Sequence, residues 1–101
     1  MNLIYADENS FEKLIKGDLV LIDFYANWCG PCKMLSPLLE ELANERSNIK
    51  IVKVDVDSCP NIAKKYGVLS IPTLIKLEEE KEIAKHIGYM NKDDLNNFIN
   101  E

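Results

Sequence analysis

The residues best suited to chemistry are two cysteines three positions apart, Cys29 and Cys32, in the segment WCGPC. They follow an apolar run, Leu19–Tyr25, that is typical of a buried strand, and helical periodicity begins after them. In the first turn of a helix, positions i and i+3 lie roughly 5 Å apart, within the ~4.4–6.8 Å between α-carbons that a disulfide requires. The helix N-terminus also favours a thiolate at Cys29, because it presents unpaired N–H groups and a partial positive charge. The spacing therefore predicts a reversible dithiol/disulfide centre.

A carboxylate interrupts the apolar strand six residues before the first cysteine. Asp23 could face solvent at an edge position, or it could lie buried beneath the start of the following helix. Burial disfavours the charged form and would raise the pKa of this carboxyl toward neutrality, which suits a group that transfers protons. Lys53 lies in a neighbouring predicted strand, where an ordinary exposed lysine is equally compatible with the sequence.

A C-x-x-C pair can also be half of a structural zinc site, which takes four ligands. Only Cys59 and His86 remain to complete such a site, and they belong to different predicted elements, so no metal site is expected. His86 is expected to be an exposed strand residue without a catalytic role. Cys59 precedes a helix start, so it is either a small residue without a role or a regulatory thiol with a lowered pKa.

The composition narrows the class of protein. A chain of 101 residues, 47% hydrophobic, is expected to form one domain over residues 1–101 with a substantial core. A net charge of −5 argues against nucleic acid or an anionic membrane surface as a partner. We see neither a signal peptide nor an apolar stretch long enough to span a membrane, which predicts a cytoplasmic protein. In that reducing compartment a C-x-x-C pair is more often catalytic or metal-binding than structural.

The pattern of elements predicts an α/β fold with a mixed sheet. A first part containing a βαβ unit is followed by a β-hairpin and a last helix, for which Asn91 is the predicted N-cap. Asn9 and Glu12 have the spacing of a capping box. The predicted strands are Asn2–Tyr5, Leu19–Tyr25, Ile49–Val56, Thr73–Leu77 and Glu82–Ile87, and the predicted helices are Asn9–Lys16, one from the cysteines to about Arg46, Pro60–Tyr66 and one after Asn91.

The segment Asp23–Lys33 strongly resembles the active site of the thioredoxin family, whose C-x-x-C motif lies near a βαβ unit. The resemblance covers essentially the whole chain and implies the thioredoxin fold, a mixed central β-sheet flanked by helices on both faces. Three features depart from the family: Tyr25 replaces a frequent tryptophan, the last hairpin turn lacks glycine, and Cys59 is an extra cysteine. Further matches to the family are Lys53, Tyr66–Gly67, Ile71–Leu74 and Ile87–Gly88.

The resemblance implies reduction of disulfides in other proteins. Cys29 would be the nucleophile, and Cys32, as the less exposed thiol, would resolve the mixed disulfide. Asp23 would take and return the proton of Cys32. Lys53 corresponds to the family's lysine near this carboxylate and would modulate it.

The resemblance also implies a binding surface for clients. X–Pro bonds are usually trans, but the family carries a cis proline beside the redox cysteines, which here is Pro72. The backbone of Ile71 would then pair with an extended substrate segment. A flat apolar docking surface would be lined by Trp28, Ile71, Pro72, Ile87 and Gly88.

The expected partners are disulfide-containing client proteins and a thioredoxin reductase, drawing on NADPH or linked to ferredoxin. No metal or bound cofactor is expected, and the chain is expected to be a monomer. Two alternatives stay open: a disulfide isomerase or oxidase, and a non-catalytic subunit of a partner. Gly30 and Pro31, which shape the site, resemble the reducing members, since oxidising members usually have histidine before the second cysteine.

Overall fold

The computed structural model describes residues 2–101. Strands and helices alternate up to the third helix, and a hairpin and a last helix follow, as predicted. Within these residues the elements are β1 (Leu3–Tyr5), α1 (Phe11–Leu14), β2 (Leu19–Tyr25), α2 (Gly30–Glu45), β3 (Lys50–Asp55), α3 (Pro60–Lys65), β4 (Thr73–Glu78), β5 (Lys81–Ile87) and α4 (Lys92–Asn100).

The strands form one mixed sheet in the order β1-β3-β2-β4-β5. β3 pairs in parallel with β1 and with β2, whereas β4 pairs antiparallel with β2 and with β5. β2 is therefore the central strand, which explains why it is apolar on both faces. The register places Asp23 opposite Lys53 on one side and opposite Leu74 on the other.

Alternation along the central strand divides the core into two layers. Val20 and Ile22 belong to the layer that α1 and α3 cover, and Leu21 belongs to the layer that α2 and α4 cover. Because side chains alternate with a period of two, Asp23 points to the same side as Leu21, toward α2. The sheet thus aims the carboxylate at the layer that contains the redox helix.

The first helix differs from its prediction. It spans only Phe11–Leu14, and its N-cap is Ser10, which makes no side-chain cap bond. The predicted capping box of Asn9 and Glu12 is wrong. The carboxylate of Asp7 accepts the N–H groups of Asn9 and Ser10 instead, at 2.9 and 2.7 Å, and this local turn satisfies the donors ahead of the helix.

The last helix is held at both ends. Asn91 Oδ1 accepts the N–H of Asp94 at 2.8 Å, as its predicted N-cap role requires. At the other end, the buried Lys76 ammonium donates to the carbonyl oxygens of Phe98 at 2.8 Å and of Glu101 at 2.9 Å. A cation here satisfies unpaired carbonyls and complements the negative end of the helix, a contact that the sequence pattern did not reveal.

The turn between β4 and β5, which lacks the glycine usual in the family, has two glutamates in a conformation that favours glycine. Glu79 and Glu80 have φ of 50° and 69°, in the left-handed region that favours glycine or asparagine. Positive φ at both central residues is characteristic of the type I′ hairpin turn. The sequence therefore accepts local backbone strain at this exposed turn.

Candidate redox-active site

The junction between β2 and α2 positions the cysteine pair. Cys29 is the N-cap of α2, with extended backbone, and its Sγ accepts the N–H of Cys32 at 3.2 Å. Pro31 lies in the first turn, where its missing N–H costs no hydrogen bond. The first cysteine therefore occupies the position where unpaired N–H groups stabilise a negative sulfur most effectively.

The two cysteines are bonded as a disulfide, with α-carbons 5.3 Å apart, which confirms the predicted spacing. In this disulfide form, exposure does not separate the two residues, since Cys29 is 5% exposed and Cys32 is 4% exposed. The expectation that Cys32 is the less exposed thiol therefore has little support. The N–H donated to Cys29 Sγ distinguishes the two sulfurs instead.

Asp23 lies buried within the sheet, 1% exposed, so the edge-position alternative is wrong. Its Oδ1 has no hydrogen-bond partner, and its Oδ2 lies 3.5 Å from the ammonium of Lys53. Burial raises the pKa of this carboxyl to about 6, and the opposing attraction of Lys53 limits the rise. A carboxyl with that pKa can exchange a proton near neutral pH.

Lys53 is also buried, 3% exposed, so the exposed-lysine alternative is wrong as well. Its ammonium donates to Ser36 Oγ at 2.8 Å. It also lies 4.8 Å from the ring centroid of Tyr25 and 5.5 Å from that of Tyr5. Ser36 was not identified from the sequence, although its place one turn after Cys32 puts it on the same face of α2.

A small cavity links the second cysteine to this lysine. It has a volume of about 150 Å³, and Cys32, Ser36 and Lys53 all contribute to its wall. Tyr5 and Tyr25 also line it. The cavity therefore borders both the second cysteine and the lysine that pairs with Asp23.

The predicted docking residues fall into two groups. Trp28 and Ile87 are 71% and 59% exposed, whereas Pro72 is buried and Ile71 and Gly88 are half-buried. The Ile71–Pro72 bond is cis, as the resemblance implied. The carbonyl oxygen of Ile71 lies 3.9 Å from Cys29 Sγ, so this loop borders the redox pair directly.

The apolar surface extends further than the sequence indicated. Leu69 is 99% exposed in the loop before the cis proline, and with Trp28 and Ile71 it lines a groove of about 160 Å³. The side chain of Trp28 is fixed, because its Nε1–H donates to Asp57 Oδ2 at 2.8 Å. The signal for the groove was the apolar pair Val68 and Leu69 in a loop.

The remaining candidates lie outside the redox pair. Cys59 is 1% exposed and burial raises the pKa of its thiol, so the alternative of a regulatory thiol with a lowered pKa is wrong. His86 is half-buried, with its ring centroid 6.3 Å from that of Phe98, and is therefore less exposed than predicted. Among residues 2–101, no three histidine, cysteine or acidic side chains are grouped to hold a metal ion. None of the helices in this range could cross a membrane.

The sequence and the fold are both similar to those of known thioredoxins. The family model described as Thioredoxin matches residues 2–101. The chain is 48% identical to the thioredoxin of Chlamydia trachomatis over 97% of its own length and 95% of the relative's. It is 43% identical to the thioredoxin of Bacillus subtilis, covering 100% of this chain and 98% of that one. A solved structure of a mutant thioredoxin from Halobacterium salinarum, 35% identical, superposes with a TM-score of 0.90 over 97% of this chain and 88% of that one, which confirms the expected fold.

Proposed function

Because the chain belongs to the thioredoxin family and is a protein-disulfide reductase, we propose that Cys29 is its nucleophile and Cys32 its resolving cysteine. One observation carries this assignment: Cys29 Sγ is the N-cap acceptor of α2 and takes the N–H of Cys32 at 3.2 Å. The same N–H would stabilise the Cys29 thiolate in the reduced protein. Cys32 lies inside the first turn, from which it can reach the sulfur of Cys29.

The first step forms a mixed disulfide. The thiolate of Cys29 attacks one sulfur of the client disulfide, the client S–S bond breaks, and the other client sulfur leaves as a thiolate that takes a proton from water. One disulfide bond replaces another in this step, so it needs no external oxidant or reductant. The client is now bound covalently through Cys29.

The second step releases the client. Asp23 accepts the proton of Cys32, and the resulting thiolate attacks Cys29 Sγ, so that the Cys29–Cys32 bond forms and the second client sulfur leaves as a thiolate. Two electrons have then passed from the cysteine pair to the client. A carboxyl whose pKa burial raises to about 6 suits this proton transfer, and Lys53 modulates it from 3.5 Å.

Client binding would use the surface around the pair. Trp28, Leu69 and Ile87 supply exposed apolar area, and the loop at Ile71 and Pro72 lies against Cys29. An extended client segment would pair with the backbone of Ile71 while apolar side chains occupy the groove of about 160 Å³. Gly30 and Gly88 would leave the approach to Cys29 open.

Family membership implies a reductase that regenerates the dithiol. We propose an NADPH-dependent thioredoxin reductase as that electron donor, acting on residues 1–101 as a single monomeric domain in the cytoplasm. A ferredoxin-linked reductase is the alternative donor. Regeneration by each purified reductase, followed as loss of the Cys29–Cys32 disulfide, separates the two.

The residue roles are tested by trapping clients. Cys32→Ser should leave Cys29 able to attack but the mixed disulfide unresolved, so client adducts should accumulate on non-reducing gels. Cys29→Ser should form none. Equal trapping by the two variants would overturn the assignment of nucleophile and resolver.

The direction of the reaction is tested by the redox potential. At equilibrium with a glutathione buffer, the pair should hold its disulfide more tightly than glutathione does. A potential of about −180 mV or higher is typical of isomerases and oxidases, and such a value would move the protein to that class. Reduction of insulin disulfides separates an enzyme from a non-catalytic subunit.

A further inference from the structure

We propose that Ser36 is a positioning residue for the proton transfer: its hydroxyl holds the Lys53 ammonium away from the Asp23 carboxylate. The inference rests on the proposed function, because it concerns how the base assigned there is regulated. Among residues 2–101, Ser36 forms no side-chain hydrogen bond with either cysteine or with the carboxylate, so it would act through Lys53.

The distances carry the argument. Lys53 Nζ lies 2.8 Å from the neutral Ser36 Oγ but 3.5 Å from the charged Asp23 Oδ2, so the shorter bond goes to the weaker acceptor. Asp23 Oδ1, which is buried, has no hydrogen-bond partner although an ammonium lies beside the same carboxyl. Buried carboxylates are ordinarily hydrogen-bonded. The bond to Ser36 therefore keeps the Lys53 ammonium from forming a short hydrogen bond with the Asp23 carboxylate.

Two aromatic rings hold the same ammonium from the sheet side. The rings of Tyr25 and Tyr5 lie edge to face, with centroids 6.2 Å apart, and both lie within 6 Å of Lys53 Nζ. Burial, followed by nearby Asp55, raises the pKa of Tyr25 to about 12, so the ring beside the ammonium is a neutral phenol. A neutral ring attracts a cation through its face without adding negative charge near Asp23.

The charged and titratable groups around Asp23 and its partner Lys53 come from four elements. Lys53 faces Asp23 from β3, the two tyrosines flank that lysine from β1 and β2, and Cys32 and Lys33 of α2 line the cavity to which Lys53 also contributes. β4 presents the apolar Leu74 opposite Asp23. Among residues 2–101, Lys53 is the cation that forms an ion pair with Asp23, so its distance from the carboxylate controls how strongly the charged form is favoured.

The test is the titration of Asp23 in the reduced protein. In Ser36→Ala the ammonium loses its short acceptor and turns toward the carboxylate, and the midpoint of the Asp23 titration should fall by roughly half a pH unit or more. Ser36→Thr keeps the hydroxyl and should retain the parent midpoint. Alanine is the best helix former, so the substitution should not endanger folding of α2. Carbon-13 NMR of the Asp23 carboxyl follows the titration directly.

A double-mutant comparison tests whether Ser36 acts on Asp23 through Lys53. In a Lys53→Met background, Ser36→Ala should not shift the Asp23 midpoint, because the group through which Ser36 acts is absent. An unchanged or raised midpoint in Ser36→Ala, or an equal fall in the Lys53→Met background, overturns the inference. Failure of the proposed function would look different: the rate of disulfide reduction in the parent protein would show no step at the Asp23 midpoint, whatever Ser36 does.

Discussion

Cys29 and Cys59 both stand at a helix N-terminus, but only the sulfur of Cys29 accepts a hydrogen bond from its helix. Each is the N-cap of a helix with proline in its first turn, α2 for Cys29 and α3 for Cys59. Cys29 Sγ accepts an N–H from its own helix, whereas Cys59 makes no side-chain cap bond. Cys59 Sγ lies 3.8 Å from the carbonyl oxygen of Ala6 and joins the core beneath α1 and α3.

The comparison shows that a place at a helix N-terminus does not activate a thiol by itself. The thiol must also face the unpaired N–H groups, and that depends on the backbone at the cap: Cys29 has φ −86° and ψ 114°, and Cys59 has φ −124° and ψ 58°. Where the sulfur turns into the core, burial raises its pKa, as it does for Cys59. Burial is the largest cause of the raised pKa of the Cys59 thiol, and its side chain makes no cap bond to α3.

The largest expected difference between the two cysteines is in catalysis. Cys29→Ala should lower the rate of disulfide reduction by at least roughly a thousandfold, because it removes the thiol that attacks the client. The matched variant Cys59→Ala should keep the parent rate within about twofold. Insulin reduction with saturating reductase measures both. A comparable loss in the two variants would show that Cys59 is part of the redox centre.

The next effect concerns the carboxyl that accompanies only the first cysteine. The pKa of Asp23 is about 6 in the folded protein and ~3.9 in the unfolded chain. Between these values the folded protein holds a proton that the unfolded chain has lost, so the free energy of unfolding falls as pH rises. The contribution is full below pH ~4 and is lost above pH ~6, about 3 kcal/mol in total. Asp23→Asn should remove this decline, as denaturant melts at several pH values would show.

Reduction rates supply the control for that variant. Asp23→Asn should reduce disulfides more slowly than the parent near neutral pH, and the deficit should shrink as pH approaches the thiol pKa, because hydroxide then replaces the lost base. An identical pH dependence of the unfolding free energy in parent and variant would mean that the pKa of Asp23 is the same in the folded and unfolded states. Its proton-transfer role would then be abandoned.

Alkylation of the reduced protein compares the two thiols directly. Cys29 should react with iodoacetamide at pH 7 roughly a hundredfold faster than Cys59, because the N–H of Cys32 stabilises the Cys29 thiolate whereas the pKa of the Cys59 thiol is raised. Mass spectrometry of peptides at timed intervals assigns each site. Equal rates in the folded protein, with Cys59→Ala as the assignment control, would show that the helix terminus activates both.

The smallest expected effect is on stability. Cys59 is 1% exposed in the core layer of α1 and α3, so Cys59→Ala should cost about 1 kcal/mol of unfolding free energy. The loss should be the same at pH 5 and pH 7, because the buried thiol is neutral at both. Thermal or denaturant melts at these pH values measure it. A pH-dependent loss would point to a thiolate and contradict its structural role.

Short windows of the sequence predicted most of the elements. A continuous apolar run identified the central strand, and helical periodicity identified the long helix that carries Cys32, because both signals depend on residues close together in the chain. The N-cap at Asn91 was equally local. The capping box at Asn9 was predicted wrongly, because a competing local turn at Asp7 used the same donors.

Some residues of the site could also be predicted from the sequence, and others could not. The cysteine pair follows from a spacing of three residues, and the cis bond before Pro72 was expected only from the family resemblance. Burial of Asp23 was one of two alternatives that the strand pattern left open. The exposed Leu69 was visible in the sequence as an apolar loop residue, but nothing local placed it beside Trp28.

A bridgeable, helix-capping cysteine pair at the end of a buried strand can be predicted from the sequence, because its parts lie within a few residues of one another. The groups that surround the pair depend on tertiary packing. The bond from Lys53 to Ser36 spans 17 residues, and the contact from Cys59 to Ala6 spans 53. Such contacts depend on how the sheet orders its strands and on which layer each helix covers. The packed chain buries both side chains, and this burial raises the pKa of the Asp23 carboxyl to about 6 and raises the pKa of the Cys59 thiol.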